Sequence, residues 1–303
     1  LNVSVVVPAH NEAANIQNVL ESLLAQRVQH ARVIEVVVIA SGCTDGTAEI
    51  ARSVSKGRPG MHVHVQERRD GKVAALNAYL KMRDRRAEIV LVCSADLRVA
   101  PDVIEHIVSC FREHPEVGMV GARPVPDNDA TEVIGMMVNV LWEMHHRIAL
   151  LAPKMGELVA FRSDLIEYVS ELSVVDEASV EDIILSKGYS LAYVPQAIVT
   201  NHGPETWAEY FEQRRRIARG HYWLDFAFGY RVATLDQSRV LSVAYEVARE
   251  QTSFGRKALA FAIATEVAAR VAGFVDARVF GRKRRTWTPL KSTKALRTPG
   301  TNK

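Results

Sequence analysis

The chain reads as an α/β protein: a mainly parallel sheet flanked by helices, with a helical appendage at the C-terminal end. Three observations predict this. Short β-branched runs alternate with helical patterns through the first half. The strand runs are continuously apolar rather than alternating, as expected when both faces of a sheet are covered. And 303 residues, 48% hydrophobic and 24% charged, suffice for a sizeable core.

Four strand–helix units follow in order. "VSVVV" (3–7) precedes a helical pattern with Ile16, Val19, Leu20, Leu23 and Leu24 on one face. "VIEVVVI" (33–39) leads through a glycine turn into "TAEIARSV", "HVHV" (62–65) into "KVAALNAYLKM", and "EIVLVCS" (88–94) into "PDVIEHIVSCF". Ligands of such sheets bind beyond the carboxyl ends of the strands, so the residues just after each strand carry the most information. The second half is less regular. It has a long helix around 131–151, a strand "ELVAF" (157–161), an acidic helix start at "DEASVEDIILSKG", strands "SLAYV" and "AIVT", and a helix carrying "QRRRIARGH". This pattern divides the chain into a domain over 1–230 and an appendage over 231–303.

Net charge is only +3, which argues against a nucleic-acid-binding role, but its distribution is uneven. From Arg278 onward there are nine basic residues and no acidic one, so the body is acidic and the tail basic. Cys43, Cys93 and Cys110 are odd in number and lack metal spacing, consistent with reduced thiols and a cytoplasmic setting. The chain opens directly into a strand, without a signal-peptide pattern. "ALAFAIATEVAARVAGFV" (258–275) is interrupted by Glu266 and Arg270, which makes it a poor spanning helix. It reads equally as an amphipathic helix packed on the domain and as one in a membrane interface, with the basic tail drawn to anionic lipid.

Taken singly, the segments after the strands are ordinary. "PAHNE" (8–12) is a helix start that Asn11 can cap, and "SGCTDGT" (41–47) is a glycine turn with a cap. Lys72 stands in the first turn of a helix, where the dipole disfavours a cation, so a nearby phosphate would explain it. Asp96, after the fourth strand, can hold a hard divalent ion or cap the turn before Pro101. Glu181 and Asp182 stand adjacent at a helix start, where the dipole alone can favour two acids. On the arginine helix, Gln213, Arg216 and Gly220 share a face, while Arg214, Arg215 and Arg219 point elsewhere.

Together, in order and spacing over residues 2 to 224, these segments resemble the family-2 glycosyltransferases of the GT-A fold. "VSVVVPAHNEAANI" is similar to the family's opening strand and P-x-x-N-E turn, "GCTDGT" to its G-S-T-D-G-T turn, and "GKVAALN" to its G-K-x-x-A-L-N helix. "SADLRVAPD" resembles its D-x-D segment, "VEDIIL" its E-D motif and "QRRRI" its Q-x-x-R-W segment. The resemblance implies a metal-dependent, inverting transfer of a sugar from a nucleotide diphosphate to an acceptor hydroxyl. It puts the donor against Pro8, Ala9, His10, Glu12, Ser41, Lys72, Ala95 and Asp96, with Mg²⁺ or Mn²⁺ on Asp96. It makes Asp182 the general base, and it sets Glu181, Gln213 and Arg216 beside the diphosphate or acceptor. His202, after "AIVT", is a second metal ligand on this reading and a satisfied structural histidine on the other. Arg214, Arg215 and Arg219 are left for solvent, an anionic acceptor or a membrane.

Three departures qualify the resemblance. Ala40 and Ser41 replace the usual acidic residue that reads the nucleotide base, so a UDP-sugar is expected with the base undetermined. Ser94 replaces the first carboxylate of D-x-D, and Ile217 the tryptophan of Q-x-x-R-W. The acceptor can be a saccharide, a lipid-linked sugar or a small molecule, met in the cytoplasm or at the inner face of a membrane. Two rivals stand beside this reading. A sugar-1-phosphate nucleotidyltransferase would release pyrophosphate, and a non-catalytic sugar-nucleotide or nucleic-acid binding protein would release nothing.

Overall fold

A computed structural model describes residues 1–171, 176–280 and 292–294. The four expected strands are β1 (Asn2–Ala9), β2 (Arg32–Ser41), β3 (Met61–Gln66) and β4 (Ile89–Cys93). They lie parallel in the order β3-β2-β1-β4, joined through α1 (Ile16–Leu24), α2 (Thr47–Ser55) and α3 (Lys72–Met82). Beyond β4 the sheet becomes mixed. After α4 (Val103–Glu113) come β6 (Val117–Pro126), β7 (Leu158–Arg162) and β8 (Ser190–Asn201), and a two-residue β5 (Arg98–Val99) closes the edge. Strand β7 runs antiparallel to both β4 and β6. The full order is β3-β2-β1-β4-β7-β6-β8-β5.

Side chains along a strand alternate between faces, and β1 shows what that achieves. Val3, Val5 and Val7 join the core under α1 and α4, with Ile16, Leu20, Ile104 and Phe111. Val6 points the other way, into a core with Leu76, Tyr79, Val90 and Phe161. Each fully buried branched side chain contributes about 1.5–3 kcal/mol relative to exposure. Ser4 also faces that second core, and its hydroxyl satisfies itself there by donating to Glu35 and accepting from the Tyr79 hydroxyl. The predicted stripe of α1 is buried at Ile16, Val19, Leu20 and Leu23, but Leu24 is exposed.

Strand β6 was not expected from the sequence. Two glycines and two prolines in "VGMVGARPVP" obscure its strand pattern, yet it pairs along nearly its whole length with β8. The segments "SLAYV" and "AIVT" are parts of that single strand β8.

The remaining helices form one wall. They are α5 (Val133–Leu151), α7 (Trp207–Phe228), α8 (Gln237–Glu250) and α9 (Ser253–Phe280), while α6 (Asp176–Ser186) packs on the sheet through Val180 and Ile184. Gly229, left-handed at φ 71°, ends α7. The helices beyond it share a core with what precedes: Val243, Val247 and Leu259 pack with Met137, Ile148 and Tyr210.

Three arginines expected to be free are structural instead. Arg214 donates from Nε to Glu266 at 2.6 Å, and Arg215 from Nε to Asp276 at 2.7 Å, so both dock α9 on α7. Arg219 is buried at 6% exposure. The helices can close this far because of Gly273: a Cβ there would lie 2.8 Å from the Arg215 carbonyl and from the Arg219 amide nitrogen. The two charges that interrupt the apolar run of α9 are also absorbed, since Arg270 donates to Glu266 at 2.8 Å. By length and composition α9 could cross a membrane, a test that core helices also pass. Apart from residues 292–294, the basic tail after Phe280 lies outside the described residues.

Arg214→Ala is expected to lower stability in urea denaturation by about 2–4 kcal/mol, because enclosed Glu266 is left with Arg270 alone. Arg215→Ala breaks a more exposed pair and should cost about 1 kcal/mol or less. Equal losses would show that Arg214 is not the principal tie.

Candidate active site

A single large cleft of about 1040 Å³ opens along the carboxyl edge of the sheet and continues beneath the C-terminal helices. Its first rim is the turn after β1. Pro8, Ala9, His10 and Glu12 all line it. His10 Nδ1 lies 2.8 Å from the Ser41 carbonyl oxygen, and the Glu12 amide donates to Thr47 Oγ1 at 2.8 Å, so the turn is tied to the end of β2. Asn11 does not cap α1 as expected. It takes a left-handed conformation (φ 53°), and its Oδ1 accepts from the Thr44 amide at 2.8 Å. Gly42 lets the second turn nest against the loop after β3, since a Cβ would meet the Arg69 amide nitrogen at 2.5 Å. That contact brings Arg69 to the cleft, a cation the sequence reading missed.

Asp96 lines the cleft beyond β4, and Ala95 lies buried beside it without lining the cavity. Across from them stands Glu157, also unanticipated. It immediately precedes β7, and its carbonyl accepts from the Ser94 amide at 3.3 Å in continuation of the β4–β7 ladder. The position that lacks the first carboxylate of the D-x-D pattern thus faces a carboxylate from the neighbouring strand. Burial, and then the charge of Asp96, push Glu157 well above the ordinary carboxylate range, against the pull of Lys72 and Arg216.

The acidic helix α6 differs from expectation. Glu177, Ala178 and Glu181 line the cleft, whereas Asp182 does not. A helix turns about 100° per residue, so Asp182 lies about 140° from Glu177 and about 100° from Glu181, but only about 40° from Ala178 around the axis. Asp182 therefore sits just beyond the margin of the face that meets the cleft, and the carboxylates of α6 that line it are Glu177 and Glu181. Lys72 Nζ stands 2.6 Å from Glu177 Oε1, so the lysine at the start of α3 answers a carboxylate. Glu181 is 3% exposed and fully engaged, accepting from the Met155 amide at 3.1 Å and from the Tyr230 hydroxyl. It holds α6 to the loop before β7 and to the segment after α7.

From α7, Gln213 and Arg216 both face the cleft, as expected. Burial lowers the Arg216 guanidinium somewhat, against the attraction of Glu157. His202 also lines the cleft, but its ring is occupied. Nδ1 lies 2.6 Å from Asp127 Oδ1, and Nε2 lies 3.2 Å from Glu205 Oε1. Burial opposes its charge, yet these two carboxylates outweigh burial and raise its pKa. Held this way, the ring offers no free lone pair, and the structure favours the satisfied-histidine alternative over the metal ligand.

The Asp96–Glu157 pair suits a hard divalent cation: two carboxylate oxygen donors, one of them raised by burial and then by its neighbour's charge. Among the described residues no three His, Cys, Asp or Glu side chains gather into a full cage, so such an ion would need ligands from elsewhere.

Comparison with known proteins now bears on this arrangement. The profile described as "Glycosyl transferase family 2" matches residues 4–159, and that of "Glycosyl transferase family group 2" matches residues 89–273. The chain belongs to glycosyltransferase family 2. This glycosyltransferase is 25% identical over 229 residues to the poly-beta-1,6-N-acetyl-D-glucosamine synthase of Staphylococcus aureus (strain COL), covering 72% of this chain and 54% of that one. It is 24% identical over 255 residues to the probable glycosyltransferase YdaM of Bacillus subtilis (strain 168), covering 79% and 60%. The chain therefore spans little more than half the length of these curated relatives. Among solved structures, its fold resembles the mannosyltransferase PcManGT from Pyrobaculum calidifontis in complex with GDP-Man and Mn²⁺. There the TM-score is 0.65 at 21% identity, over 92% of this chain and 87% of that one. It also resembles S. aureus TarS 1–349 in complex with UDP, with a TM-score of 0.51 at 16% identity, over 96% and 95%. Both are GT-A glycosyltransferases, and the mixed sheet with flanking helices is the GT-A fold.

A raised carboxyl pKa means that stability falls as pH rises from the ordinary carboxylate value toward the raised one. Glu157→Gln should therefore raise the melting temperature of the metal-free protein at pH 8, by the equivalent of about 1–2 kcal/mol. The gain should vanish near pH 4, where the wild-type carboxyl is already protonated. A gain independent of pH would show that the Glu157 carboxyl is not raised in the folded protein.

Proposed function

We propose that the protein transfers a sugar from a nucleotide diphosphate donor to an acceptor hydroxyl with inversion, and that Glu177 is the general base. The observation that carries this reading is the convergence of Asp96, Glu157, Glu177, Lys72 and Arg216 on one cleft at the carboxyl edge of the sheet. Donor complexes of its structural relatives, one with GDP-Man and Mn²⁺ and one with UDP, support a nucleotide-sugar donor.

In this reading the nucleoside lies against the β1 and β2 turns, with Pro8, His10, Glu12 and Ser41 around it. Asp96 and Glu157 would hold Mg²⁺ or Mn²⁺, which when bound supplies Lewis-acid neutralisation of the leaving diphosphate. Arg216, with Arg69 behind it, attracts the same phosphate charge from α7, and a guanidinium suits phosphate oxygens. Glu177 accepts the proton of the acceptor hydroxyl. The acceptor oxygen then bonds to the anomeric carbon as the bond from that carbon to the diphosphate oxygen breaks, and the diphosphate departs with the electron pair. Lys72 orients Glu177, and Gln213 lines the path by which the acceptor arrives. We further propose a cytoplasmic site with peripheral membrane contact through α9, which the length and apolar composition of that helix support.

Glu177→Gln is expected to reduce transfer by about 10²–10⁴-fold, with nucleoside diphosphate affinity near wild type, as for loss of a general base. Asp182→Asn should leave the rate within a few-fold. If Asp182→Asn carries the large loss instead, the assignment of the base reverts to Asp182.

Ser41 offers a hydroxyl where the family has a carboxylate, so the charge-assisted pull on the base's N–H is missing. Affinity for UDP and GDP in the presence of Mn²⁺ should then differ by less than about 10²-fold, or roughly 2.7 kcal/mol. Calorimetric titration of both checks this, and a larger preference would mean that another group reads the base.

A further inference from the structure

The sheet ends on an unguarded edge. Strand β3 is its outermost strand and pairs on one side only, with β2. An edge strand presents unpaired N–H and C=O groups along its outer side. Proteins usually blunt such an edge with a charge, a proline, a bulge or extreme shortness. The opposite edge of this sheet is closed by the two-residue β5. Strand β3, by contrast, has six residues, MHVHVQ, with no charged residue, no proline and no shift in its register with β2. What it carries instead is a pair of histidines.

His62 and His64 stand on one face, because side chains along a strand alternate. Their neighbours across the ladder, Val37 and Ile39, belong to the core under α3, whereas Met61 and Val63 join the core on the other face. Although they share the face that α3 covers, both histidines are exposed. Neither imidazole has a hydrogen-bond or ion-pair partner among the described residues. The other eight of the ten histidines differ. Six of them meet a polar partner, and the remaining two, His145 and His221, are buried.

Two imidazoles at i and i+2 are separated by two rises of about 3.3 Å each. They can converge on one metal ion through bonds of about 2.0–2.1 Å. Imidazole suits zinc, nickel and copper, whereas magnesium and calcium take oxygen ligands. A closed zinc site has four ligands, yet among the described residues no third His, Cys, Asp or Glu gathers with this pair. The open strand edge can supply the rest. When two copies meet edge to edge about a two-fold axis, β3 pairs with β3 antiparallel, and directly opposed residues share a face. A register that sets His62 of one copy opposite His64 of the other brings four imidazoles onto one face. Opposed Cβ atoms in such a pair are about 4.5–5.5 Å apart, close enough for all four rings to reach one ion.

We propose that the β3 edge is a zinc-bridged self-association site, in which His62 and His64 from each of two copies of this chain hold one ion. The inference is independent of the transfer reading, since neither histidine lines the cleft. Main-chain hydrogen bonds between the two β3 strands add to the metal bonds. A strand from a different protein could join the same edge, but it would leave the ion with two ligands.

The test is sedimentation velocity of the full chain, stripped with EDTA and then given one equivalent of Zn²⁺. Zinc retained after desalting is counted by atomic absorption. The double variant His62→Gln, His64→Gln serves as the reference for zinc bound elsewhere. The stripped protein should sediment as a monomer, and zinc should raise its mass about two-fold. Wild type should retain about 0.5 zinc per chain more than the double variant. His62→Gln and His64→Gln should each abolish the zinc-dependent dimer. Both positions are exposed, and melting temperatures in EDTA check that the variants fold. A zinc-dependent dimer that survives the substitutions would overturn the site. So would a wild-type chain that stays monomeric in zinc, whatever amount of the ion it retains. A dimer equally strong in EDTA and in the double variant would mean that the strands pair without metal, and the zinc site would fall.

Discussion

The docking of α9 on α7 is the constraint on which the shape of the cleft depends. Arg214 and Arg215 leave α7 in the direction of Glu266 and Asp276, and Gly273 removes the side chain that would hold the two helices apart. Because these arginines are committed to α9, α7 presents Gln213 and Arg216 to the cleft in a fixed orientation. Because α9 is held against α7, its apolar stripe becomes the outer wall of the same cavity. One helix pair therefore sets both the residues that α7 presents to the cleft and the cleft's far boundary.

Charge balance is the second organising effect. Eight carboxylates line the cleft, at Glu12, Asp70, Asp96, Glu157, Glu171, Glu177, Glu181 and Glu266, against cations at Arg69, Lys72, Lys154, Arg214, Arg216, Arg231 and Arg270. Most of this charge is neutralised locally: Lys72 by Glu177, and Glu181 by hydrogen bonds from Tyr230 and the Met155 amide. Glu266 is held by Arg214 and Arg270, and Lys154 lies in the field of Glu181, which leaves the neighbouring carboxylates of Asp96 and Glu157 as the place where like charges meet. Protein interiors penalise unmatched charge, so such residues are informative about ligands in a way that paired ones are not.

Much of the fold was legible in the sequence because its signals are local. Continuous apolar strands, amphipathic helices and glycine turns act over a few residues, and the parallel half follows from them. Strand β6 was not legible, since Gly118, Gly121, Pro124 and Pro126 obscure its local pattern and only pairing with β8 makes it a strand. The same limit applies to the site. The sequence has two acidic pairs in one helix, at 176–177 and 181–182, and nothing local tells which turn of α6 faces the cleft. Glu157 was visible only as the first residue of an apolar run, because its importance comes from lying opposite Ser94 across two strands distant in sequence.

By itself, then, the sequence determined the α/β class, the order of the parallel strands' loops and the family to which the chain belongs. It also singled out many residues that line the cleft, including His10, Glu12, Ser41, Lys72, Asp96 and Arg216. All of these follow a strand or occupy a helix face, and the physics of an open sheet gathers such positions at one edge. Tertiary structure alone decided the partners. It gave Arg214 and Arg215 to α9, Lys72 to Glu177, and His202 to Asp127 and Glu205. It set Asp182 just outside the cleft lining and brought Glu157 in. Each of these outcomes depends on charges meeting across long sequence separations, where the sign of a residue is encoded locally but the identity of its counter-ion is not.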